Sequence, residues 1–321
     1  MTAYVLRRIA LMVPILFGVS IVTFAITAAS GSPLNGLEFN PRIRPEDIIR
    51  IKHNLGLDKP ILERYFIWLS HVGRGDFGLS LTNYTPVTGR ILAVMPNTLL
   101  LSGLSIFLSF ALALPIGIYA AVHRNSLLDR FTTTTAVAGF AIPTVWLGLM
   151  LILLFAVKFS DWGLPTLPVG GVRDLRANGG IWDRVVHLIL PTVALVLPQM
   201  AGWIVYIRST MLEVINQDYI RTARSKGLVD RAVLYSHGFR NALLPLITLI
   251  GLSIPDVFGG SLIVENVFAY PGMGRLTVDS VLNKDYTMVM GTTMFFAVLV
   301  ILGNLIADIL YVAFDPRIKL D

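Results

Sequence analysis

The stretch TLLLSGLSIFLSFALALPIGIYAAV, Thr98–Val122, runs for 25 residues without Asp, Glu, Lys or Arg. A hydrocarbon core about 30 Å thick is crossed by about 20 apolar residues of helix, so this segment can span a membrane. Other stretches have the same character: Ile9–Ala29 (21 residues), Phe131–Val157 (27), Val185–Ile207 (23, with His187 inside), Asn241–Val264 (24, with Asp256) and Tyr286–Phe314 (29, with Asp308). In lipid, backbone polar groups must be paired within their own segment, so the direct reading is an all-α membrane protein with six transmembrane helices. The weakest span, Asn241–Val264, holds 13 Leu, Ile, Val and Phe residues. These contribute roughly −6 kcal/mol of insertion energy against about +3 kcal/mol for a central Asp, so insertion wins.

The whole composition fits. The chain has 321 residues, of which 55% are hydrophobic and 14% charged, against roughly 25% charged in soluble domains. That excludes a soluble enzyme, a disordered chain and a nucleic-acid-binding domain. The net charge of +6 reads as basic loops beside a membrane rather than as a nucleic-acid surface. Cysteine is absent, so no disulfide, thiolate nucleophile or Cys-based metal site is available. The five His residues show neither H-x-x-x-H nor H-E-x-x-H spacing, and no metal site is expected. The first apolar run is 21 residues long, beyond the about 7–15 of a signal-peptide core, so it reads as a retained span.

Charge asymmetry orients the bundle. With the N-terminus inside, the cytoplasmic segments carry 12 Lys and Arg and the short external loops carry 6, as the positive-inside rule requires. The expected organisation is an N-terminus and first helix over 1–29, an external insert over 30–97, a core of five helices over 98–314 with a cytoplasmic loop at 208–240, and a cytoplasmic tail over 315–321. Within the insert, Arg44-Pro45-Glu46-Asp47 opens one amphipathic helix and Ile61–Val72, closed by Gly73, forms a second. Segment 158–184 is rich in Gly and Pro and reads as an external loop. Loop 208–240 carries six Arg and Lys and suits two helical pieces, around Ser209–Ser225 and Asp230–Arg240. It is longer than a helix connection needs, so it either meets a partner or lies on anionic lipid. Pro14, Pro115, Pro143, Pro191, Pro198, Pro245 and Pro255 lie within spans, as helices lining transport paths often show.

Tyr219-Ile220-Arg221-Thr222-Ala223-Arg224-Ser225-Lys226-Gly227-Leu228, followed by Arg240-Asn241-Ala242-Leu243-Leu244-Pro245, resembles the cytoplasmic signature of ABC importer permeases, in particular the B-type subunit of the dipeptide/oligopeptide/nickel family. Arg7-Arg8 through Gly18-Val19-Ser20, Leu55–Pro60, Gly75–Ser80, Val264–Gly274 and Asp315-Pro316-Arg317 resemble further blocks of the family in the same order. Arg221 and Thr222 stand where the general signature has Glu and Ala, which looks like the peptide-type variant.

The resemblance implies a type I ABC importer permease fold and a division of labour. The chain would pair with a second homologous permease, two cytoplasmic ATPase subunits would dock below, and an extracytoplasmic substrate-binding protein would deliver peptides for alternating access in the bacterial or archaeal inner membrane. ATP and magnesium would be held by the ATPases, and this chain, which has no G-x-x-x-x-G-K-[ST] phosphate loop, would not be an enzyme. Nickel chelates and oligosaccharides are alternative substrates within the same family. The readings from other classes are an ATP-independent channel or secondary carrier and an intramembrane hydrolase.

Asp218, Tyr219, Ile220, Arg221, Thr222, Ala223, Arg224, Ser225, Lys226 and Gly227 are the expected coupling segment toward an ATPase. Ala223 and Gly227 would share one face if the helix continued that far. Asp256, an acid within a span, is a candidate for the translocation path. Asp308 lies near the cytoplasmic end, where it can pair with Arg317 or Lys319. Glu265, Asn266, Phe268 and Tyr270 are candidates for the external mouth, or for a capped turn with aromatic anchors.

Overall fold

The computed structural model describes residues 2–30, 44–54, 57–174, 180–227, 229, 233, 238–259 and 261–314. The expected second helical piece of the cytoplasmic loop, around Asp230–Arg240, falls mostly outside them, and the 315–321 tail does so entirely. The described chain is mostly helical, with one isolated bridge between Leu79 and Pro86. Its elements are α1 (Thr2–Ala29), α2 (Pro45–Asn54), α3 (Ile61–Val72), α4 (Val87–Val122), α5 (Leu127–Ala141), α6 (Thr144–Ile152, prolonged by a π-helical turn Leu153–Lys158 to Asp161), α7 (Ile181–Ile215), α8 (Asp218–Ser225), α9 (Arg240–Gly259), α10 (Leu262–Val267), α11 (Met273–Leu282) and α12 (Tyr286–Phe314). Among the described residues, five stretches are long and apolar enough to cross a membrane: Ala10–Ala29, Val87–Val122, Thr144–Asp161, Ile181–Ile215 and Tyr286–Ile309. The sixth, in α9, has a shorter apolar run, Pro245–Val257.

The expected third span, Phe131–Val157, is not one helix. Ser126 caps α5 by accepting the N–H of Asp129 at 3.1 Å, and α5 then ends at Ile142, which is extended (φ −73°, ψ 124°), before Pro143 (φ −62°, ψ 129°). Proline clashes with a helical residue before it and donates no N–H, so the chain breaks and restarts as α6. Pro14, Pro115, Pro191, Pro198, Pro245 and Pro255 stay inside continuous helices. The expected fifth span also ends early: Val264 belongs to the separate α10, capped by Ser261.

Helices α4 and α7, 36 and 35 residues long, form the central pair. At about 1.5 Å per residue each exceeds 50 Å and projects beyond the hydrocarbon. Toward one end the core holds Leu101, Leu190, Ala194, Phe268 and Tyr270; toward the other, small residues such as Ala113, Ala121, Ala136 and Ala201 pack with Ile204, Ile207 and Leu246. Small side chains let helix backbones approach closely where lipid offers no hydrophobic drive to association. Helix α9 packs on α12, and α12 on α1, whose Leu11, Val13, Ile15, Val22 and Ile26 remain exposed, as a lipid-facing surface requires.

The insert is not independent of the bundle. Tyr65 of α3 is buried and its hydroxyl hydrogen-bonds Ser20 of α1 at 2.7 Å. Its ring meets Phe24 edge-on at 5.4 Å, and Arg64 lies 6.0 Å from the Phe24 centroid. Buried Asp285, just before α12, accepts hydrogen bonds from Ser80 Oγ and from the N–H groups of Leu81 (3.1 Å) and Met288 (3.2 Å), tying the strand-like segment before α4 to α12.

Candidate functional site

Three features could carry function, and the long α7 connects two of them. The first is a cleft of about 300 Å³ between α4, α7 and α9, lined by Ile106, Gln199, Gly202, Trp203, Tyr206, Leu249, Ser253 and Asp256. Two helical stripes make it: Gln199, Trp203 and Tyr206 at i, i+4 and i+7 on α7, and Leu249, Ser253 and Asp256 with the same spacing on α9, which places each set on one helix face. Gln199 lies nine residues, about 13 Å of helix, before Arg208, and Asp256 lies sixteen residues, about 24 Å, after Arg240. The cleft therefore lies well along the spans from the cytoplasmic loop and opens on the surface of the chain. Gln199 Oε1 lies 3.2 Å from Ser109 Oγ, and Trp203 is held edge-on by Phe110 at 5.3 Å. Asp256 is exposed on the surface of the chain, and among the described residues no side chain hydrogen-bonds or pairs with it. A carboxylate turned toward hydrocarbon is costly, so this face belongs against protein or water. Asp256 was legible in the sequence. Gln199, Trp203 and Tyr206 were overlooked, although their i, i+4, i+7 spacing inside a span was the available signal.

The second feature is the short helix α8, which follows α7 after only Asn216 and Gln217. Its Ile220 and Ala223 are buried and cluster with Val233 of the same loop. The opposite face is exposed: Asp218, Tyr219, Arg221, Thr222, Arg224 and Ser225, continuing into Lys226 and Gly227. Here one expectation changes. The helix ends at Ser225, and Gly227 takes φ +78° with open space around it. Ala223 and Gly227 thus form no shared small-residue face; Ala223 is internal packing, and Gly227 makes the left-handed stop that glycine adopts without steric cost.

Just before α8, α7 is clamped to α5. Arg208 donates from Nε to Asp129 Oδ1 at 2.6 Å and from Nη2 to Oδ2 at 2.9 Å. Asp129 Oδ2 also accepts the Asn125 N–H at 2.8 Å, and the residue is 2% exposed. The bound guanidinium is the main reason the carboxyl is pulled down to about 2.

The third feature is the turn after α9. Glu265, Phe268 and Tyr270 are fully buried, and Asn266 is half-buried with its Nδ2 donating to Leu262 O. None of the three buried residues presents surface to a path within this chain. Glu265 accepts Thr98 Oγ1–H at 2.8 Å and the Arg275 N–H at 3.0 Å, while Thr98 Oγ1 accepts the Met273 N–H at 2.8 Å. A Cβ on Gly272 would lie 2.3 Å from Glu265 Cδ, so only glycine lets the backbone wrap the carboxyl. Burial pushes Glu265 up, against the hydrogen bonds from Thr98, Arg275 and Gly274 that favour its charged form. Burial also pushes Tyr270 up to about 12, with the Glu265 charge adding to it. This is a packed junction joining the start of the apolar part of α4 to α10 and α11.

Arg317 and Lys319, the partners expected for Asp308, lie outside the described residues. Arg8 Nη1 of α1 reaches Asp308 Oδ2 at 3.1 Å, because the N-terminal part of α1 runs beside the C-terminal part of α12. No group of three or more His, Asp or Glu side chains that could hold a metal ion occurs among the described residues.

Two family models together match nearly the whole chain: the binding-protein-dependent transport system inner membrane component over residues 113–320, and the N-terminal region of binding-protein-dependent transport system membrane components over residues 1–102. The chain is 46% identical over 321 residues to the oligopeptide transport system permease protein AppB of Bacillus subtilis (strain 168), covering 99% of this chain and 100% of that one. It is 36% identical over 338 residues to the di/tripeptide transport system permease protein DppB of Pseudomonas aeruginosa (strain UCBPP-PA14), and 37% over 328 residues to the oligopeptide transport system permease protein OppB of Mycobacterium tuberculosis (strain ATCC 25618 / H37Rv), with 99% of each chain covered in both cases. These matches, over a chain that folds as a helical bundle, show that it belongs to the family of binding-protein-dependent transport system inner membrane components.

Proposed function

We propose that this chain is a transmembrane permease subunit of an ATP-driven, binding-protein-dependent importer of di- and oligopeptides, and that it forms half of the translocation path. The peptide assignment draws on the relatives' names, since each is described as a peptide, oligopeptide or di/tripeptide permease. In this reading a second homologous permease covers the Asp256 face. Two cytoplasmic ATPases, holding ATP and magnesium, dock below, and a substrate-binding protein delivers from outside. The N- and C-termini lie in the cytoplasm.

The observation that carries the mechanism is the continuity of α7. One unbroken helix lines the cleft with Gln199, Trp203 and Tyr206 and ends two residues before α8. Force on α8 therefore reaches the cleft through a rigid element. The buried Ile220 and Ala223 fasten α8 to its own loop, while Asp218, Tyr219, Arg221, Thr222, Arg224, Ser225, Lys226 and Gly227 present the coupling surface. Closure of the ATPases on ATP would push this surface, tilt α7 and, through Arg208–Asp129, carry α5 with it.

The test is a double variant compared with the wild type in the purified transporter. Tyr219→Ala with Arg221→Glu alters only the exposed face and should abolish binding-protein-stimulated ATP hydrolysis while membrane insertion persists. Normal stimulation in that double variant would reject α8 as the coupling element.

A further inference from the structure

The cleft has a chemistry that selects for one part of a peptide. We infer that Asp256 and the α7 stripe receive the α-ammonium group of the transported peptide as it crosses; this rests on the peptide-permease reading above. The cleft of about 300 Å³ opens on the Asp256 face, so it forms one wall of a path and can receive the first residue of a peptide. It places one carboxylate, Asp256, beside the amide of Gln199, the hydroxyl of Ser253 and the aromatic side chains of Trp203 and Tyr206. That set fits a primary ammonium, which needs a counter-charge and acceptors for its three N–H groups, and which is also attracted to aromatic faces.

Other roles for an intramembrane acid fit the surroundings less well. The other acid within a span is accounted for: Asp308 is paired with Arg8. Asp256 alone has no such partner among the described residues and stands on the surface of the chain. Its neighbours in the cleft are neutral, so a mobile cation from outside the chain completes it. Phe110 packs edge-on against Trp203, and Gln199 Oε1 lies 3.2 Å from Ser109 Oγ, whose single proton also faces Ser105 O at 2.6 Å. Trp203 on the α7 side of the cleft is thus held in place, whereas Asp256 on α9 can approach or withdraw as the two helices tilt. Such a site would hold the amine in one state of the transport cycle and release it in the other.

The experiment uses the complete transporter in proteoliposomes, with a peptide and its des-amino analogue, both at concentrations that saturate the binding protein. ATP-dependent uptake is measured for the wild type, Asp256→Asn and Asp256→Glu. A hydrogen bond to a charged group is worth about tenfold or more. Asp256→Asn should therefore slow uptake of the free-amine peptide at least tenfold, leave the des-amino analogue unchanged, and be largely rescued by Asp256→Glu. Equal loss for both peptides, no loss for either, or dissociation of the second permease from Asp256→Asn on size exclusion would overturn the assignment. The last outcome would make Asp256 an ion-pair partner between subunits. Wild-type transporter that moves neither peptide would instead reject the permease reading itself.

Discussion

The Asp129–Arg208 clamp gives a prediction whose size follows from its geometry. Asp129→Ala removes two hydrogen bonds of 2.6 and 2.9 Å to the guanidinium, and the acceptor of the Asn125 N–H at 2.8 Å. The carboxylate side chain is 3% exposed and Arg208 23%, so the pair lies between an exposed one, worth about 0–1 kcal/mol, and a fully buried one, which costs about 3–5 kcal/mol when one partner is deleted. A loss of about 2–3 kcal/mol is expected, or about 3–5 °C in thermal midpoint for a chain of 321 residues. Because the folded-state carboxyl is pulled down to about 2 from 3.8, its contribution is complete above the unfolded value. The contribution fades as pH falls from about 4 toward about 2. The gap between wild type and Asp129→Ala should accordingly be constant from pH 5 to 8 and close in acid. The assay is thermal unfolding of the purified protein in detergent across pH, with Asp161→Ala as control, since Asp161 belongs to an exposed pair with Lys158 at 3.1 Å. If Asp129→Ala costs no more than the control, or if the gap does not close in acid, the clamp contributes nothing and the link from α7 to α5 falls with it.

Further outcomes follow from the same packing. Gly272→Ala should displace Glu265 from its cradle and lower stability by about 1–3 kcal/mol, the usual range for overpacking, read as a drop in detergent melting temperature. Asp285→Ala should free the segment around Ser80–Thr82 and speed its limited proteolysis several-fold, because the carboxylate is the shared acceptor of that turn. Gly227→Val should impair binding-protein-stimulated ATP hydrolysis without reducing membrane insertion, since a β-branched residue resists φ +78° and would distort the chain leaving α8. Tyr65→Phe, which loses the 2.7 Å bond to Ser20 but keeps the aromatic cluster, should cost about 1 kcal/mol in the same melting assay.

The membrane spans were legible because lipid forbids charge, and a run such as Thr98–Val122 has none. Short-range chemistry was legible at Pro45 and Gly73, but the helical piece expected over Ser209–Ser225 is split: Ser209–Ile215 completes α7, and Asp218–Ser225 stands apart as α8 after Asn216 and Gln217. What the sequence could not decide were outcomes set by distant neighbours. Pro143 breaks its helix whereas Pro115 and Pro191 do not, and the difference lies in packing that the dipeptide alone does not encode. Asp129 and Arg208 are 79 residues apart, so their pairing leaves no trace in spacing. Glu265 looks like a mouth residue until Gly272 and Thr98 close over it. The Gln199, Trp203 and Tyr206 stripe was within reach of periodicity, but its meaning depends on α9 lying opposite.

The central claim is that this chain carries peptides across a membrane under the power of separate ATPases. It is tested most directly by reconstituting the chain with its second permease, ATPases and binding protein in vesicles and measuring uptake of a labelled dipeptide. The account predicts accumulation above the outside concentration that requires ATP, magnesium and the binding protein together, and that is lost with the Tyr219→Ala, Arg221→Glu double variant. Equilibration of the peptide without ATP, or by this chain alone, would contradict it and point to a channel or secondary carrier.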